Sequence, residues 1–465
     1  MLLGRTRRVH FVGIGGIGMS GIAELLANLG YVVSGSDARR SPVTDRLESL
    51  GIRLSVGHAA EHVRGADVVV VSSAVRPANA EVVEAHRLGV PVIPRAEMLA
   101  ELMRLKTGIA IAGSHGKTTT TSMIALVLER AGLDPTAVIG GRLSAFGSNA
   151  RLGRGALMVA EADESDRSFL KLFPTIAVIT NIDHEHLESY GGFDELQQAF
   201  VDFANKVPFY GAVVACADDS DLAAVLPKMT RRLITYGLQT PGAEVTADDV
   251  TLGPMTASAR VHRRAPGESS PTTLGRIVLN VPGRHNLSNA LAAVAVGLEL
   301  DLSFARIASG LEQFRGAERR FEVKGEPNGI LIVDDYGHHP TEIAAVLAAA
   351  RSLQRKVHVV FQPHRYSRTA ALLASFGPAL AAADHIVLTD IYAAGEDPIP
   401  GVTVETLADA IRRATDVPLD VVPRLDDVPA LVASTARPGD VVITLGAGSV
   451  GTLPDRLIAA LARTA

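Results

Sequence analysis

The stretch VHFVGIGGIGMSG, Val9–Gly21, runs from an apolar segment through a cluster of glycines into a second apolar segment. Gly13, Gly15 and Gly18 have the spacing G-x-G-x-x-G, which is typical of the turn between a buried strand and a helix in a parallel sheet. Asp37 lies 19 residues beyond Gly18, at the end of the next apolar run. The stretch therefore predicts that the chain begins with a βαβ unit of an α/β fold.

This glycine loop fits two classes of ligand. Glycines let the backbone approach a diphosphate closely, and free N–H groups at a helix N-terminus stabilise its negative charge. A nicotinamide dinucleotide and a nucleotide-sugar diphosphate both meet this requirement. The same spacing recurs at Gly446, Gly448 and Gly451, where we interpret it as a tight strand-to-helix turn. We expect the first copy to bind phosphate, and its candidate residues are Gly13, Gly15, Gly16, Gly18, Met19, Ser20 and Asp37.

The composition is that of an ordinary globular protein. The 465 residues are 47% hydrophobic and 20% charged, with a formal net charge of −5, so no basic excess indicates a nucleic-acid partner. Cys216 is the single cysteine, which excludes an internal disulfide and is interpreted as a small core residue. No apolar run approaches the roughly 18 residues of a membrane span. We expect a cytoplasmic protein, either a monomer or a homodimer.

Apolar runs alternate with helical segments along most of the chain, which predicts three consecutive α/β domains. We expect a Rossmann-like domain over residues 1–105 and a central domain like a P-loop ATPase over residues 106–314. Within the central domain, polar alternating segments between about Met229 and Pro282 predict added antiparallel strands. A second Rossmann-like domain is expected over residues 315–465.

A second loop, IAGSHGKTTTTSM (Ile111–Met123), has the composition of a nucleoside-triphosphate loop. It places Lys117 and Thr118 where such a loop has its phosphate-binding lysine and its magnesium-binding hydroxyl. Ile111 stands where the usual first glycine would be, so the loop departs from the common pattern. Its candidate ATP-binding residues are Gly113, Ser114, His115, Gly116, Lys117, Thr118 and Thr119.

Acidic residues end the two apolar runs that follow this loop. One run ends in EADESD, from Glu161, and the other in NIDHEH, up to His186. Carboxylate oxygens at strand ends are the ligands that Mg²⁺ prefers, with phosphate oxygens completing its shell. The sequence therefore predicts a magnesium site beside the phosphate loop.

Seven segments, in this order, resemble the Mur ligases, the ATP-dependent amino-acid ligases of peptidoglycan synthesis: GSHGKTTTT, EADESDRSFL, TNIDHEHLESY, GRHNLSNALAA, FRGAERRFE, DDYGHHPTE and FQPHRYSRT. The resemblance covers essentially the whole chain. The first glycine loop, combined with the last two segments, is similar to the branch that adds L-alanine to UDP-N-acetylmuramate. It implies that the N-terminal domain binds the UDP, the central domain ATP and the C-terminal domain the amino acid.

The resemblance also implies a mechanism. The lactyl carboxylate of the substrate attacks the γ-phosphate of ATP, and the amine of L-alanine then displaces phosphate from the acyl phosphate. Such chemistry depends on positioning and charge neutralisation. Lys117 would contact the phosphates, and Thr118, Glu161 and His186 would bind Mg²⁺. Leu187–Asn205 contains no lysine, so the modified lysine of some sister ligases is not expected.

Further roles are carried over from the same family. His285, Asn286 and Asn289 would surround the adenosine, with a helix cap as the alternative role for the two asparagines. Residues at the start of the third domain would reach the nucleotide: Arg319, Arg320, Asp334, Asp335 and Tyr336. The amino-acid end would be served by His338 and His339, which would orient L-alanine or accept its proton, and by His364, Arg365 and Arg368, with an arginine binding its carboxylate.

Three alternatives remain open from the sequence. A recycling ligase that attaches a tripeptide to the same sugar nucleotide would share almost every motif. An NAD-dependent dehydrogenase would explain the first glycine loop but would leave Lys117 and Glu161 without a role. A nucleotide-sensing protein without catalysis is opposed by the presence of Lys117, Thr118 and the acidic strand ends.

Overall fold

The computed structural model describes residues 3–72, 74–143 and 148–462. The chain divides into two compact units. Unit 1 comprises Met1–Asp249, Ala259–Ile277 and Ser288–Phe314, and unit 2 comprises Val250–Ser258, Val278–Leu287 and Arg315–Ala465. The segment expected to bind UDP, residues 1–105, therefore falls in unit 1. Most of the segment expected to bind ATP, residues 106–314, also falls in unit 1.

The first sheet of unit 1 has five parallel strands in the order β3-β2-β1-β4-β5. Strand order reverses between β1 and β4, and ligands bind at such a point, outside the carboxyl ends of the strands. The strands are β1 (Arg8–Val12), β2 (Val32–Asp37), β3 (Arg53–Val56), β4 (Val68–Val71) and β5 (Val92–Pro94). The helices are α1 (Ile17–Asn28), α2 (Pro42–Ser49), α3 (Ala80–Arg87) and α4 (Arg95–Met103).

The second sheet has ten strands in the order β15-β14-β13-β12-β11-β10-β6-β9-β7-β8. Its strands are β6 (Thr107–Ala112), β7 (Thr136–Leu143), β8 (Ser148–Arg151), β9 (Leu157–Glu161), β10 (Ile176–Ile179), β11 (Ala212–Cys216), β12 (Leu233–Gly237), β13 (Val245–Leu252), β14 (Ala257–Arg263) and β15 (Thr272–Leu279). The helices are α5 (Lys117–Arg130), α6 (Phe193–Asn205), α7 (Ser220–Val225), α8 (Arg284–Glu299) and α9 (Phe304–Glu312).

The centre of this sheet is parallel and apolar. Strand β6 pairs in parallel with β9 and β10, and all three are buried almost throughout. Strands β13, β14 and β15 are neighbours joined by short connections, which parallel strands cannot use, so they form the antiparallel segment that the sequence predicts. Cys216, at the end of β11, is buried as expected.

The sheet of unit 2 has six strands in the order β16-β17-β21-β18-β19-β20, of which β16 alone is antiparallel to its neighbour. Its strands are β16 (Glu322–Gly325), β17 (Leu331–Asp335), β18 (Val357–Phe361), β19 (His385–Leu388), β20 (Leu419–Val421) and β21 (Val441–Leu445). The helices are α10 (Pro340–Arg351), α11 (Tyr366–Ala371), α12 (Phe376–Leu380), α13 (Val404–Ala414), α14 (Val428–Thr435) and α15 (Leu453–Leu461).

Apolar side chains from both faces of this third sheet form two separate clusters. Val333, Val359 and Ile443 belong to one cluster, and Ile332, Val360 and Val442 belong to the other. The alternation follows from the pleat of a strand, and burial on both faces explains the continuous apolar runs that identified these strands in the sequence. None of the helices in the described parts of the chain has the length and apolar character needed to cross a bilayer.

Candidate functional site

A cavity of about 580 Å³ opens at the carboxyl ends of β1, β2 and β4, where the order of the strands reverses. Gly13, Gly16 and Asp37 line it, together with His58 and Arg76. The Asp37 carboxylate accepts a hydrogen bond of 2.8 Å from the N–H of Gly15. The glycine loop and Asp37 therefore meet at one cavity.

Gly18 makes room for an arginine that the sequence analysis missed. A Cβ at Gly18 would lie 1.9 Å from Arg95 Nη1, and Arg95 Nη2 lies 3.4 Å from Asp163 Oδ2. The arginine thus connects the first glycine loop with the acidic end of β9. Met19 and Ser20, by contrast, are buried in α1, where Ser20 Oγ accepts a hydrogen bond from Asn149.

A buried carboxylate behind the first glycine loop was also missed. Glu81 has no exposed surface and accepts hydrogen bonds from His10 Nε2 (2.9 Å), His62 Nδ1 (3.1 Å) and Ser36 Oγ (2.8 Å). Burial alone would raise the pKa of Glu81, but these hydrogen bonds outweigh it and hold the pKa at about 2. His58 Nδ1 lies 3.3 Å from the same carboxylate, so Glu81 positions a side chain of the cavity.

The phosphate loop joins β6 to α5, with Lys117 as the first residue of the helix. Lys117 Nζ donates to the carbonyl oxygens of Gly113 (2.6 Å) and Ser114 (3.1 Å) and to Glu164 Oε1 (2.8 Å). Gly116 has a φ of +80°, which glycine adopts without the strain that a side chain would cause. The lysine is therefore positioned by its own loop and by a carboxylate that the sequence analysis did not assign.

The end of β10 fixes the shape of this loop. Thr180 Oγ1 donates to the His115 carbonyl at 2.6 Å, and the His115 N–H donates to Asn181 Oδ1 at 2.8 Å. The Asp183 N–H donates to Ser114 Oγ, and His115 Nε2 lies 2.8 Å from Asp183 Oδ2. The segment Thr180–Asp183 therefore stabilises the conformation of the loop and also supplies an acidic group.

The predicted magnesium ligands come from the carboxyl ends of β6 and of its neighbours β9 and β10, or from the segments that follow these strands. Glu161 is paired in register with Ile111 of β6, and Thr118 is the second residue of α5. His186 has a φ of +58°, and its Nε2 lies 3.6 Å from Glu185 Oε1. Gly140 makes room for Glu161, because a Cβ there would lie 2.0 Å from Glu161 Oε2.

The donor set beside the loop suits a hard cation. Burial would lower the pKa of Lys117, yet the charges of Glu164, Asp163 and Glu185 raise it. The electrostatic potential around the lysine is therefore negative. Burial raises the pKa of Glu164 to about 7, although Lys117 acts in the opposite direction. Glu164 Oε2 is buried and accepts no hydrogen bond from the described residues. Carboxylate oxygens in such a field match the preference of Mg²⁺.

The three residues of GRHNLSNALAA differ in their surroundings. In unit 1, Asn289 Oδ1 accepts a hydrogen bond of 3.2 Å from Thr120 and lies against Gly116 of the phosphate loop. In unit 2, Asn286 Nδ2 donates to the Pro282 carbonyl at 2.6 Å, two residues before α8 begins. Burial lowers the pKa of His285 to about 4, so its ring is neutral near pH 7.

The charged residues at the start of the third sheet interact with one another inside unit 2. Arg319 Nε donates to Asp334 at 2.8 Å, and its guanidinium lies 5.2 Å from the centre of the Tyr336 ring. Arg320 Nη1 donates to Glu342 at 3.3 Å. Burial raises the pKa of Asp335 to about 6, although it accepts two backbone N–H groups. These contacts join the segment before β16 to the end of β17 and to the start of α10.

His338, His364 and Tyr392 form a ring cluster in unit 2. The His338 and His364 rings are 5.4 Å apart, and His364 stacks on Tyr392 at 5.7 Å. Arg368 Nη1 lies 2.9 Å from His364 Nδ1, while Arg365, with a φ of +70°, precedes α11. The structure thus brings three of the predicted amino-acid-binding residues together and adds Tyr392.

His339 differs from His338. It is buried at the N-terminus of α10, and its Nδ1 accepts the N–H of Thr341 at 3.4 Å. The Glu342 carboxylate accepts the backbone N–H of His339, which completes a capping box. His339 Nδ1 is therefore engaged in capping α10.

The copy of the glycine spacing near the C-terminus is filled by side chains. Gln362 Oε1 accepts the N–H of Val450 at 2.9 Å, and Arg319 Nη2 donates to the Gly446 carbonyl at 2.6 Å. A Cβ at Gly448 would lie 2.6 Å from Gln362 Oε1 and from Tyr392 Cγ. The loop is therefore a packed turn between β21 and the next helical segment, as the sequence predicts.

Family models match three segments of the chain. The model described as "Mur ligase family, catalytic domain" matches residues 8–107, "Mur ligase middle domain" matches 111–297, and "Mur ligase, glutamate ligase domain" matches 319–448. The chain belongs to the Mur ligase family. The dehydrogenase interpretation of the first glycine loop is therefore not supported.

Mur ligases among the curated proteins match over the full length. The UDP-N-acetylmuramate–L-alanine ligase of Geobacter sp. (strain M21) is 54% identical over 459 residues, which is 98% of each chain. That of Pelobacter propionicus is 53% identical and covers 100% of both chains.

Solved structures of Mur ligases agree. The UDP-N-acetylmuramate-alanine ligase of Thermotoga maritima is 29% identical, with a TM-score of 0.84 over 98% of this chain and 100% of its own. A murein peptide ligase from Psychrobacter arcticus is 25% identical, with a TM-score of 0.72 over 98% and 99%. The predicted fold class, with its α/β domains and antiparallel segment, is confirmed.

Proposed function

We propose that this chain joins L-alanine to the lactyl carboxylate of UDP-N-acetylmuramate, using ATP and releasing ADP and phosphate, in the cytoplasmic synthesis of peptidoglycan precursors. The observation that carries the proposal is that one compact unit holds both a diphosphate-sized glycine-loop cavity and a phosphate loop with a half-buried, carboxylate-paired lysine. The relatives at 53–54% identity supply the identity of the two substrates.

The first substrate fits the N-terminal cavity. The glycine loop of residues 13–18 binds the diphosphate of UDP, and Asp37 faces the nucleoside end. Arg95 lies between this loop and Asp163, so its guanidinium is placed to bind an anionic group of the sugar that extends toward the phosphate loop. In this arrangement, the lactyl carboxylate points toward the γ-phosphate of ATP.

The reaction has two steps. An oxygen of the lactyl carboxylate attacks the γ-phosphorus, the bond to the β-phosphate oxygen breaks, and an acyl phosphate and ADP result. The amine of L-alanine then attacks the acyl carbon, and collapse of the tetrahedral intermediate expels phosphate and forms the amide. The ammonium group of L-alanine must lose a proton before it attacks. No nucleophile from the protein is needed.

Lys117 contributes charge to both steps. Its ammonium leaves Glu164 and the loop carbonyls to meet the phosphates, and it then stabilises the negative charge that develops on the transferred group. Asn289 holds the base of the loop through Thr120 and Gly116. His285 and Asn286 are proposed to lie near the adenosine.

Thr118, Glu161 and His186 would hold Mg²⁺ beside the phosphates. When bound, the ion neutralises phosphate charge and polarises the γ-phosphoryl group. The negative field that raises the pKa of Lys117 is also the field in which a cation is stabilised.

The amino acid is proposed to bind in unit 2, at the ring cluster of His338, His364 and Tyr392. Arg365 or Arg368 pairs with the carboxylate of L-alanine, since a guanidinium forms two parallel hydrogen bonds with a carboxylate. His338 orients the amine or accepts its proton. The buried His339 supports this loop through its helix cap.

The deciding experiment measures phosphate release by the purified chain with ATP, Mg²⁺ and UDP-N-acetylmuramate. L-Alanine, glycine, L-serine and the L-alanyl-γ-D-glutamyl-diaminopimelate tripeptide are compared as acceptors. Mass spectrometry of the product identifies the bond that forms. The expected result is turnover with L-alanine at the highest kcat/KM.

Two results would replace the proposal. Turnover with the tripeptide and none with L-alanine would identify a recycling ligase. A folded protein, judged by circular dichroism, that binds ATP but supports no release with any acceptor would exclude ligation of this sugar nucleotide.

A further inference from the structure

A second cavity lies at the opposite end of the first sheet. Arg8, Val32 and Arg53 are the first residues of β1, β2 and β3, and all three line a cavity of about 230 Å³. The glycine loop and Asp37, in contrast, follow the carboxyl ends of β1 and β2. This amino-end cavity is therefore separate from the proposed UDP site.

The connection from β3 to β4 explains why the amino-end cavity exists. In place of a packed helix, this crossover contains one short 3₁₀ segment, Ala60–Val63. The sheet face beneath it remains polar, with Ser34 of β2 paired in register with Arg53 of β3. Val32, at the start of β2, and Val56, at the end of β3, are exposed, which shows the same lack of a covering helix.

Among the described residues that line the amino-end cavity, three are arginines, Arg8, Arg53 and Arg64, and one, Glu61, is acidic. Arg8 pairs with Asp67 at 3.4 Å, whereas no described carboxylate lies within 4.0 Å of the guanidinium of Arg53 or Arg64. Two guanidiniums therefore face the cavity with their charge uncompensated by a direct ion pair.

The floor of the cavity is preorganised by the buried Glu81. His10 and His62 line the cavity, and each donates a ring N–H to this carboxylate. These hydrogen bonds hold both imidazole rings in place, so the floor of the cavity does not have to become ordered when a ligand binds.

We propose that the amino-end cavity binds a small phosphate-bearing metabolite. Guanidinium groups bind phosphate oxygens in a bidentate manner, which matches the cluster of Arg8, Arg53 and Arg64. The volume suits a diphosphate or a sugar phosphate and is too small for a polymer. The ligand is held at the amino ends of the strands, away from the reacting groups.

Isothermal titration with inorganic pyrophosphate tests this proposal at constant ionic strength. The full chain is compared with R53A/R64A and with the control R306A/R413A, which removes two exposed arginines elsewhere. Pyrophosphate also fits the phosphate loop and the first glycine loop, so every variant is measured in a Lys117→Ala/Gly15→Ala background. We expect R53A/R64A to bind pyrophosphate at least about tenfold more weakly, and the control to match the parent.

A site-resolved measurement accompanies the titration. Phenylglyoxal modifies accessible arginines, and peptide mass spectrometry reports each position. Pyrophosphate should protect Arg53 and Arg64 from modification and leave Arg306 unchanged. Equal affinity in R53A/R64A and its parent, no binding by the parent at millimolar pyrophosphate, or modification of Arg53 and Arg64 unaffected by pyrophosphate would each overturn the proposal. Both arginines are exposed, and circular dichroism checks that their loss leaves the fold intact.

Discussion

Unit 1 contains two strand–glycine loop–helix turns that differ in what their neighbours supply. In the first, acceptors from β2 meet the loop: the Asp37 carboxylate binds the N–H of Gly15, and the Ser36 carbonyl binds the N–H groups of Gly13 and Ile14. In the second, the cation Lys117 is held by Glu164 from the end of β9 and by the carbonyls of its own loop. The glycines produce a similar turn in each case, and side chains from adjacent strand ends determine which ligand fits.

The copy of the spacing in unit 2 extends this comparison. There the Gln362 side chain accepts the N–H of Val450, and the Arg319 guanidinium donates to the Gly446 carbonyl. These two side chains occupy the positions that a ligand would need. Glycine is required at residue 448 because protein atoms, and not phosphate oxygens, approach its backbone. The G-x-G-x-x-G spacing therefore has two structural outcomes in this chain, and the Gly113-x-x-Gly116 loop is a third kind of strand-to-helix turn.

Removal of the Lys117 ammonium should have the largest effect, because the phosphate loop carries this cation itself, whereas the cation beside the first glycine loop, Arg95, comes from α4. We expect Lys117→Ala to lower kcat for phosphate release by about 100- to 1,000-fold, the range for loss of a group that stabilises transition-state charge. Affinity for UDP-N-acetylmuramate, measured by calorimetry, should change little. The control Lys228→Ala removes an exposed lysine of the same unit. Activity within threefold of the parent would contradict the assigned role.

Glu164→Gln tests the partner that distinguishes the second loop. Loss of a charged hydrogen-bond partner costs about 1.5–3 kcal/mol, so kcat should fall by about 10- to 100-fold. The carboxylate of Glu164 raises the pKa of Lys117, and burial lowers it. Without Glu164, the lysine loses its proton at lower pH, and the alkaline limb of the kcat profile should move to lower pH.

The pH profile separates this role from a structural one. Glu195→Gln, at an exposed ion pair with Arg167, serves as the matched control and should leave the profile in place. A lower kcat with an unshifted alkaline limb would mean that Glu164 acts only in packing.

Burial explains which strands the sequence could predict. Strands such as β6, β18 and β21 are covered on both faces, so they are continuous apolar runs. Strand β3, RLSV, was not predicted, because one of its faces lies at the polar amino-end cavity and its two apolar residues, Leu54 and Val56, do not form a continuous apolar run. The crossover after β3 likewise contains a 3₁₀ segment where a helix would be expected in an α/β fold.

Contacts between residues that are far apart in the sequence limited how much of the candidate site could be predicted. Lys117 and Thr118 were identifiable because the loop is local in sequence. Glu164 appeared only as one carboxylate among several, and nothing in its spacing distinguished the one that contacts Lys117 at 2.8 Å. Arg95 and Glu81 act on loops far from them in sequence, and a single sequence gives no signal for such pairs.

Gly15→Ala tests the first glycine loop and should have a smaller effect than the changes at Lys117 and Glu164. The added Cβ would lie 2.8 Å from Asp37 Oδ2 and 3.2 Å from Thr44 Cγ2, so the carboxylate must move. We expect the KM for UDP-N-acetylmuramate to rise about tenfold, equivalent to about 1.4 kcal/mol. The KM for ATP and kcat should remain within twofold. Gly242→Ala, where a Cβ meets nothing within 4 Å, is the control. A parallel rise in both KM values would show that the two loops do not bind separate substrates.

Gly448→Ala should have the smallest effect on the KM values of the two nucleotide substrates, because the second copy of the G-x-G-x-x-G spacing is filled by protein. The added Cβ would lie 2.6 Å from Gln362 Oε1 and Tyr392 Cγ, and such overpacking costs about 1–3 kcal/mol. We expect the thermal midpoint of unfolding to fall by about 2–10 °C, measured by calorimetry. Neither nucleotide's KM should change by more than twofold. A selective rise in the KM for ATP or UDP-N-acetylmuramate, without a loss of stability, would instead make this turn a ligand loop and remove the distinction between it and the two loops of unit 1.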